Sequence, residues 1–336
     1  MSTTAAVIGC GDVSAVHFEA VAKLDGATLV AVCDSDPQRL ADAVAAHGVP
    51  GFADYRDMLE AAAPDVVHIT TPHHEHAAIA IECLRRGVNV VLEKPLAHTL
   101  AEGERLLAAA AESTAKIGLC FQNRYNAPVQ EMRRLLDSGE LGQVLGASAT
   151  VMWHRQPDYY LSRPWRGSWG EGGGGLMMNQ AIHTVDLLQW LVGDVVSLAG
   201  SASTHALAEA IEVEDTAEFA ALHSNGARSV FYATLANTRN APVTLDISTE
   251  AATLSLRGDL TVTYDGGRSE VVRERATGSG GRSYWGVSHA LLIADFYAGL
   301  AQPGPFWIDA AEGAKSLRIV KELYRQSYPG SEEKVS

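Results

Sequence analysis

The fold is decided by the stretch Ala5-Ala6-Val7-Ile8-Gly9-Cys10-Gly11-Asp12-Val13-Ser14, close to the N-terminus. Its first four residues form a short apolar run typical of a buried strand, and a helical pattern follows the glycines. Gly9 allows a tight turn, and Gly11 lets the backbone approach a pyrophosphate at the helix N-terminus. Ser14 replaces the third glycine of the usual fingerprint, but a small residue can still pack there. This order of strand, turn and helix predicts a dinucleotide-binding site that includes Gly9, Gly11, Asp12 and Val13.

An acidic residue closes the next apolar run, which covers residues 29–33. Asp34 lies 23 residues after Gly11. A carboxylate at about this spacing accepts hydrogen bonds from the adenosine ribose hydroxyls and repels a 2′-phosphate. We therefore expect NAD rather than NADP, although Arg39 lies near enough in sequence to leave NADP open. The structural alternative is that Asp34 only caps the following turn.

Composition narrows the class of protein. With 336 residues, 47% of them hydrophobic, the chain suits two domains and has ample core. A net charge of -14 and a pI near 5.3 argue against nucleic acid or anionic membranes as partners. No apolar stretch reaches the length of a spanning helix, and the N-terminus enters a strand at once, so we expect neither a membrane segment nor a signal peptide. Cys10, Cys33, Cys83 and Cys120 lack disulfide or metal spacing and suit a reduced, cytoplasmic protein.

The pattern of predicted strands and helices changes after about residue 121. Strand and helix patterns alternate up to that point, which predicts an α/β fold with a doubly wound parallel sheet. A long strand over residues 144–153, several strands with turn signals over 195–272 and two closing helices follow. We predict a dinucleotide-binding domain over residues 1–122. Residues 123–336 are predicted to form a second α+β domain with a large, mostly antiparallel open sheet.

Residues 173–186 combine a glycine run with an apolar helix that carries polar groups. Asn179, His183 and Asp186 are spaced i, i+4 and i+7, so a helix places them on one stripe. Such residues are either satisfied polar groups of the core or parts of a binding site. The dinucleotide fingerprint at the other end of the chain favours the binding site.

Two loops at the carboxyl ends of the predicted parallel strands carry reactive side chains, and open α/β sheets bind their ligands there. The first is Thr70-Thr71-Pro72-His73-His74-Glu75-His76, whose histidines straddle a strand end and a helix start. That spacing does not suit a metal, so we expect none and assign the loop to the border of the cofactor. The second is Glu93-Lys94-Pro95. A lysine held between a strand end and a proline favours a functional role over that of a surface lysine in a turn.

In this order the motifs resemble the Gfo/Idh/MocA oxidoreductase family, whose best-known activities are inositol and sugar dehydrogenation. The resemblance covers essentially the whole chain, and the matching segments are Gly9-Cys10-Gly11, Thr71-Pro72 with His76, Glu93-Lys94-Pro95, Asn123-Arg124-Tyr125-Asn126, residues 173–186 and Glu214-Asp215. It implies an N-terminal Rossmann domain, a C-terminal domain with an open sheet, a cis proline peptide in Glu-Lys-Pro, and a homodimer or homotetramer. Many members carry aspartate where this chain has Asn179, and an amide cannot act as a base.

The resemblance also implies the roles of the site residues. Lys94 and His183 are the expected catalytic residues. We expect His183 to take the proton during oxidation, because imidazole titrates near neutrality. Lys94 would then stabilise the developing alkoxide as an ammonium ion, although the two roles are open to exchange. The expected cofactor-binding residues are Gly9, Gly11, Asp12, Val13, Asp34, Thr71, Pro72, His76, Glu93, Lys94 and Gln122.

Substrate recognition is expected from the second domain. Residues 154–169 interleave aromatic side chains with arginines, which suits stacking on sugar rings and pairing with carboxylate or phosphate. The alternative is a rim or subunit-contact loop. The expected substrate-binding residues are Asn179, Arg124, Tyr125, Trp165 and Arg166.

The predicted function is that of an NAD(P)-dependent dehydrogenase acting on a hydroxyl of a sugar, an inositol or a sugar derivative. Two enzymatic alternatives are a ketosugar reductase and a UDP-sugar 3-dehydrogenase that recycles its NAD. A non-catalytic NAD-binding sensor is the alternative from another class. The presence of both Lys94 and His183 argues against the sensor.

Overall fold

The computed structural model describes residues 2–275 and 288–331. The chain divides into two compact units. The first contains the chain up to Gln122 and a later segment that ends at Ala314. The second contains the chain from Asn123 to Ala276 and the segment that begins at Lys315.

The first unit is built on a six-stranded parallel sheet. The strands are β1 Thr3–Ile8, β2 Ala27–Cys33, β3 Gly51–Phe52, β4 Val66–Ile69, β5 Asn89–Leu92 and β6 Ile117–Leu119. Their order in the sheet is β3-β2-β1-β4-β5-β6. The order reverses between β1 and β4, and ligands of open α/β sheets bind beyond the carboxyl ends of the strands at such a point. The predicted doubly wound parallel sheet is confirmed.

Five helices connect these strands. They are α1 Ser14–Lys23, α2 Pro37–His47, α3 Tyr55–Ala62, α4 His73–Arg85 and α5 Leu100–Glu112. The start of α2 shows why a helix begins there. The side chain of Asp36 accepts hydrogen bonds from the backbone N–H groups of Gln38 and Arg39, and Pro37 occupies the first turn. A capping carboxylate followed by proline is a strong helix start, since proline lacks the N–H that would otherwise need a partner.

The second unit contains an eight-stranded sheet. The strands are β7 Val144–Met152, β8 Val195–Ser203, β9 Thr216–His223, β10 Arg228–Thr234, β11 Thr244–Thr249, β12 Ala252–Arg257, β13 Asp259–Tyr264 and β14 Ser269–Val272. Their order is β14-β13-β12-β11-β7-β10-β9-β8. Only the pair β7 and β10 is parallel within the described strands. The predicted mostly antiparallel open sheet is confirmed.

Four helices of the second unit precede its later strands. They are α6 Ala127–Asp137, α7 Asp158–Leu161, α8 Trp169–Gly172 and α9 Ile182–Val192. A π-helical turn, Met177–Ala181, leads directly into α9. In residues 2–275 and 288–331, none of the helices combines the length and the apolar character that crossing a membrane requires.

The last two helices, α10 Ser288–Ala298 and α11 Ala310–Ser327, correct the predicted domain division. Residues 123–336 do not form one continuous second domain, because α10 belongs to the first unit. Phe296 of α10 lies against β6, where a Cβ added to Gly118 would approach its ring to 2.7 Å. The backbone N–H of Leu119 also donates to the carbonyl of Ile308 at 2.8 Å. Apolar periodicity predicts that such a helix covers a sheet, but it does not tell which sheet.

Candidate functional site

The glycine loop between β1 and α1 contains two glycines of different kinds. Gly9 has a φ of +90°, and a Cβ there would lie 2.8 Å from the carbonyl carbon of Thr70. A Cβ on Gly11 would meet no atom within 4 Å. The packing of the protein therefore does not require glycine at position 11, whereas close approach of a pyrophosphate would. Ser14 is buried at the start of α1, and its hydroxyl donates to the carbonyl of Gly11 at 2.7 Å.

The carboxylate of Asp34 stands at the end of β2 and braces this loop. Its Oδ2 accepts from the backbone N–H of Cys10 at 2.7 Å, and its Oδ1 accepts from that of Asp36 at 2.8 Å. A carboxylate offers about four lone-pair sites, so these two bonds leave capacity for ribose hydroxyls. The guanidinium of Arg39 lies 4.0 Å from the carboxylate of Asp36.

Two expected cofactor residues hold buried oxygens that lack a partner in the described part of the chain. These atoms are Oγ1 of Thr71, which follows β4, and Oε1 of Gln122, which follows β6. A buried oxygen without a hydrogen bond costs free energy, and proteins rarely leave one unsatisfied. Donors from a bound dinucleotide would satisfy both atoms. With the space beside Gly11, they make the residues present fit NAD.

His76 of α4 joins the two loops that the sequence singles out. It is fully buried, with Nδ1 2.8 Å from the carbonyl oxygen of Pro95 and Nε2 3.0 Å from that of Thr71. Burial lowers the pKa of His76, so the ring is neutral and donates to one carbonyl at a time. The Lys94–Pro95 peptide is cis, as the resemblance implies. Lys94 itself is half-buried at the end of β5.

Glu93 does not occupy the place expected of a cofactor-binding residue. Its carboxylate is buried, and Oε1 lies 3.1 Å from Nε2 of His17 on α1 and 3.1 Å from Nε2 of His289 on α10. Burial alone would raise the pKa of Glu93, but these two hydrogen bonds hold it well below the usual range. The carboxylate is thus committed to protein donors, and the expected cofactor contact is corrected. Local sequence gives no signal for this cluster, because its members are far apart along the chain.

The three ligand-type atoms of His17, Glu93 and His289 lie within 4.8 Å of one another. That distance alone would suit a metal ion. Both nitrogens, however, share one carboxylate oxygen at 3.1 Å, which is an ordinary hydrogen-bond distance. The arrangement is therefore that of a hydrogen-bonded cluster.

In the second unit, residues 173–186 form a glycine run followed by a helix, and we call them the glycine-led segment. Two polar side chains of this segment remain accessible. Within residues 176–189, only Asn179 and His183 escape full burial. The predicted straight stripe is wrong, because the π-helical turn Met177–Ala181 changes the phase of the helix before α9 begins. Asp186, the third member of that stripe, is buried and faces other partners.

Those partners correct the expected role of Arg124. The guanidinium of Arg124 is fully buried and donates to Asp186 through Nε at 2.8 Å and through Nη2 at 2.7 Å. It also lies 5.0 Å from the ring centroid of Trp190. Because Asp186 binds this buried guanidinium through two hydrogen bonds, the structure gives Arg124 a structural role and does not support the expected contact with the substrate. Tyr125, the next residue, is half-buried in the 3-10 segment Gln122–Tyr125.

Tyr159 of α7 joins two of the expected substrate residues, Asn179 and Arg166, although it is not itself among the five expected substrate-binding residues. Its phenol oxygen accepts from Nδ2 of Asn179 at 3.2 Å and from Nε2 of Gln180 at 3.1 Å. The guanidinium of Arg166 lies 4.5 Å from the Tyr159 ring centroid and 5.6 Å from that of Trp165. Two amide donors leave the Tyr159 hydroxyl free to donate its own hydrogen. The alternation of aromatic and arginine residues in 154–169 is the signal that could have identified it.

In the motif Glu214-Asp215, the carboxylate of Glu214 binds the start of the glycine-led segment. Glu214 is buried and accepts from the backbone N–H groups of Gly175 and Met177, each at 2.8 Å. The hydroxyl of Tyr324 donates to the same carboxylate at 2.7 Å. A carboxylate at a helix N-terminus satisfies N–H groups that have no partner within the helix. This motif therefore positions the segment that presents Asn179 and His183.

Comparison with known proteins identifies both the nucleotide-binding part and the C-terminal part of the chain. A family model described as "Oxidoreductase family, NAD-binding Rossmann fold" matches residues 3–121, and one described as "GFO/IDH/MocA C-terminal domain" matches residues 129–255. D-apiose dehydrogenase of Paraburkholderia graminis is 33% identical over 233 residues, which are 67% of this chain and 58% of that protein. Inositol 2-dehydrogenase 2 of Saccharopolyspora erythraea is 30% identical over 204 residues, 59% of this chain and 56% of that protein. Each match thus spans less than two thirds of the relative's length.

Solved structures match over nearly the full chain. The WlbA dehydrogenase from Bordetella pertussis, in complex with NADH and UDP-GlcNAcA, is 30% identical with a TM-score of 0.85. That match covers 98% of this chain and 96% of the other. Levoglucosan dehydrogenase in complex with NADH and levoglucosan has a TM-score of 0.86 at 24% identity, over 97% of this chain and 98% of the other. At that identity the likeness concerns the fold alone.

Proposed function

The chain belongs to the Gfo/Idh/MocA oxidoreductase family, and we propose on this basis that it is an NAD-dependent dehydrogenase of a sugar, an inositol or a sugar derivative. Hydride would pass between the nicotinamide and a carbon that bears a hydroxyl. The observation that carries the proposal is the glycine loop, where the space beside Gly11 is left open by the protein and Asp34 stands at the end of β2.

The residues of the first unit would hold the cofactor in three places. The N-terminus of α1 and the loop of Gly9 and Gly11 would take the pyrophosphate, since helix N-termini bind anions. Asp34 would accept the ribose hydroxyls, and the side-chain oxygens of Thr71 and Gln122 would accept donors of the bound dinucleotide. When bound, NAD⁺ supplies the acceptor for the hydride.

We assign the proton chemistry to Lys94 and His183. Oxidation of an alcohol removes a hydride from carbon and a proton from oxygen. His183 accepts that proton, because imidazole is the side chain best suited to proton transfer near neutral pH. Lys94 stabilises the negative charge that grows on the oxygen. The amide of Asn179 cannot take a proton, so it orients a substrate hydroxyl by hydrogen bonding.

We further propose that the substrate is an anionic sugar or a sugar nucleotide. Two guanidinium groups lie on Tyr159, that of Arg166 at 4.5 Å and that of Arg155 at 5.3 Å from the ring centroid. Arg155 donates only to neutral oxygens among its described bonds, those of His154 and Asn240. Paired guanidiniums recognise carboxylate or phosphate through charge-assisted bonds. The structure of the WlbA dehydrogenase, which contains UDP-GlcNAcA, supports this class of ligand.

The test is NADH formation, followed by absorbance, with inositols, neutral hexoses, uronates and nucleotide sugars, each with NAD⁺ and with NADP⁺. We expect NAD-dependent turnover of an anionic member, and an Arg166→Gln variant with a raised KM for it. Arg325→Gln is the matched control, since Arg325 is exposed on α11 and pairs with Glu322. Turnover of neutral polyols alone would contradict the substrate class. Binding of NADH without turnover of any member would favour the sensor.

We also propose a cytoplasmic homodimer or homotetramer joined through the sheet of the second unit. Ala199, Ala220 and Val230 are exposed and adjacent across β8, β9 and β10. Contiguous apolar residues on one sheet face mark an interaction surface. Light scattering should give a mass of two or four chains, and Val230→Lys should lower it. A wild-type monomer would overturn this assignment.

A further inference from the structure

A chain of hydrogen-bonded side chains runs through the first unit from Tyr297 to Glu93. The hydroxyl of Tyr297 lies 2.9 Å from Nε2 of His68, and Nδ1 of His68 lies 2.9 Å from Nδ1 of His17. Nε2 of His17 then meets Oε1 of Glu93 at 3.1 Å, and Nε2 of His289 meets the same oxygen at 3.1 Å. The histidines and Glu93 are buried, whereas Tyr297 is half-buried.

The direction of every bond follows from the group at the end of the chain. An ionised carboxylate only accepts, so Nε2 of His17 and Nε2 of His289 both carry hydrogen. Burial lowers the pKa of His17 and lowers that of His68 further, so both rings are neutral with one N–H each. His17 therefore accepts at Nδ1 from His68, and His68 accepts at Nε2 from Tyr297. All the donors of the chain point toward Glu93.

Aligned donors of this kind stabilise a buried negative charge. Each bond polarises the next, and the carboxylate at the end gains more than from a single donor. Hydrogen bonds to the charged form of an acid favour that form. The pKa of Glu93 lies well below its usual range for this reason, although burial opposes it. Glu93 is thus an anion at every pH at which the protein would work.

Glu93 is buried and Lys94, the next residue, is half-buried, and the Cα atoms of consecutive residues lie about 3.8 Å apart. Both charges affect the pKa values of two buried side chains. The pKa of Cys120, on the chain after β6, is raised well above its usual value by burial and by the charge of Glu93, while Lys94 lowers it. The pKa of His76, on α4, is lowered by burial and by Lys94, while Glu93 raises it. Opposite charges in such surroundings attract each other with little screening.

We propose that Glu93 and its chain of donors hold Lys94 as an ammonium ion, so that Lys94 stabilises the reacting oxygen and leaves its proton to another group. An opposite charge at short range favours the charged form of a lysine. Glu93, His17, His68 and His289 are then positioning residues that act through Lys94. The inference rests on the proposed dehydrogenase function only for the place of Lys94 at the reacting oxygen.

The test is a direct titration of the Lys94 amine, which needs no substrate. The chain has six lysines, so reductive methylation with a ¹³C label gives few resonances. A Lys94→Arg variant identifies the resonance of Lys94. We expect the wild-type amine to titrate at or above the ordinary lysine pKa of about 10.4. In Glu93→Gln, which keeps an acceptor for both histidines, we expect titration lower by about one unit or more.

A second variant tests the far end of the chain. Tyr297→Phe removes the half-buried donor but leaves Glu93 ionised near the pH at which a lysine titrates, so the Lys94 titration should stay as in wild type or rise slightly. Tyr264→Phe is the matched control, because Tyr264 is a half-buried tyrosine of the second unit whose hydroxyl donates to Glu270. It should leave the titration unchanged.

The outcomes are distinct. An unchanged Lys94 titration in folded Glu93→Gln would overturn the proposal, as would a wild-type Lys94 that titrates near neutrality. A metal bound stoichiometrically to His17, Glu93 and His289 would also overturn it, because the donors would then be absent. Failure of the dehydrogenase proposal would instead be seen as a lack of turnover in the sugar panel, with this titration unaffected.

Discussion

Arg124 and Asp186 meet edge to edge, and two parallel N–H bonds join one guanidinium to one carboxylate where water is excluded. The hydroxyl of Ser316 donates to the same carboxylate at 3.3 Å. A buried pair of this kind need not add much stability over apolar packing, but breaking it leaves an uncompensated charge. Its place between the segment after Gln122 and helix α9 ties that helix to the start of the second unit.

Loss of the guanidinium should therefore be costly. We expect Arg124→Ala to lower the free energy of unfolding by about 3–5 kcal/mol, because Asp186 stays buried without its partner. Urea unfolding followed by circular dichroism measures this. Arg134→Ala is the control, since Arg134 forms an exposed pair with Glu131 on α6, and it should change little. Equal stabilities of Arg124→Ala and wild type would contradict the structural role of the pair.

Substitutions of the two glycines of the glycine loop should affect cofactor binding and protein stability separately. Gly11→Ala places a Cβ where the protein has no atom within 4 Å, so we expect weaker NADH binding with nearly unchanged thermal stability. Gly9→Ala places a Cβ against the Thr70 backbone at a φ of +90° and should destabilise the protein by about 1–3 kcal/mol. Fluorescence titration with NADH and thermal unfolding measure the two effects. Wild-type affinity in Gly11→Ala would show that no pyrophosphate approaches there.

Neighbouring tyrosines allow a matched test of the substrate site. Tyr159→Phe removes the hydroxyl that accepts from Asn179 and Gln180, and we expect KM for the sugar to rise about tenfold, the worth of one hydrogen bond. NADH affinity should stay the same. Tyr160 is buried, and within the described residues its hydroxyl has no partner, so Tyr160→Phe should leave KM unchanged. The same KM in both variants would remove Tyr159 from the site.

Buried histidines should make stability fall in mild acid. Burial lowers the pKa of His17, His68 and His76 in the folded protein, while the unfolded chain takes protons near about pH 6.5. Below that pH the unfolded state binds more protons, so the free energy of unfolding decreases as pH falls. Each histidine contributes up to about 1.4 kcal/mol per pH unit. The low pKa of Glu93 adds to the loss at still lower pH.

The measurement is the urea midpoint between about pH 7.5 and about pH 5.5. A His68→Gln variant should show a shallower decrease than wild type. His205→Gln, which changes an exposed histidine, should keep the wild-type slope. A wild-type midpoint that does not change with pH would show that these histidines are not neutral in the fold.

Much of the first unit could be predicted, because its signals are local. A strand, a glycine turn and a helix follow one another near the start of the chain, and each local sequence pattern predicts its own element. The predicted NAD-binding Rossmann domain and the Gfo/Idh/MocA family are confirmed. The ordered motifs were sufficient for this, since together they span both domains.

The rest depends on contacts between residues that are far apart along the chain. His17, Glu93 and His289 meet only because α1, β5 and α10 pack together, and no local pattern encodes that. Tyr159 joins Asn179 and Arg166 for the same reason. The phase of the glycine-led helix was missed for a different reason. A helical spacing assumes 3.6 residues per turn, and one π-helical turn breaks that assumption.

The return of α10 to the first unit has a consequence for how the protein can be made. Strands β1 to β6 leave the ribosome well before Phe296, and the whole second sheet is synthesised in between. Until then the surface around Gly118 has no cover, and exposed apolar surface on a nascent chain invites aggregation. A fragment cut after Gln122 would carry the same defect. Anyone who wants the nucleotide-binding half as a separate reagent must graft α10 back onto it with an artificial linker.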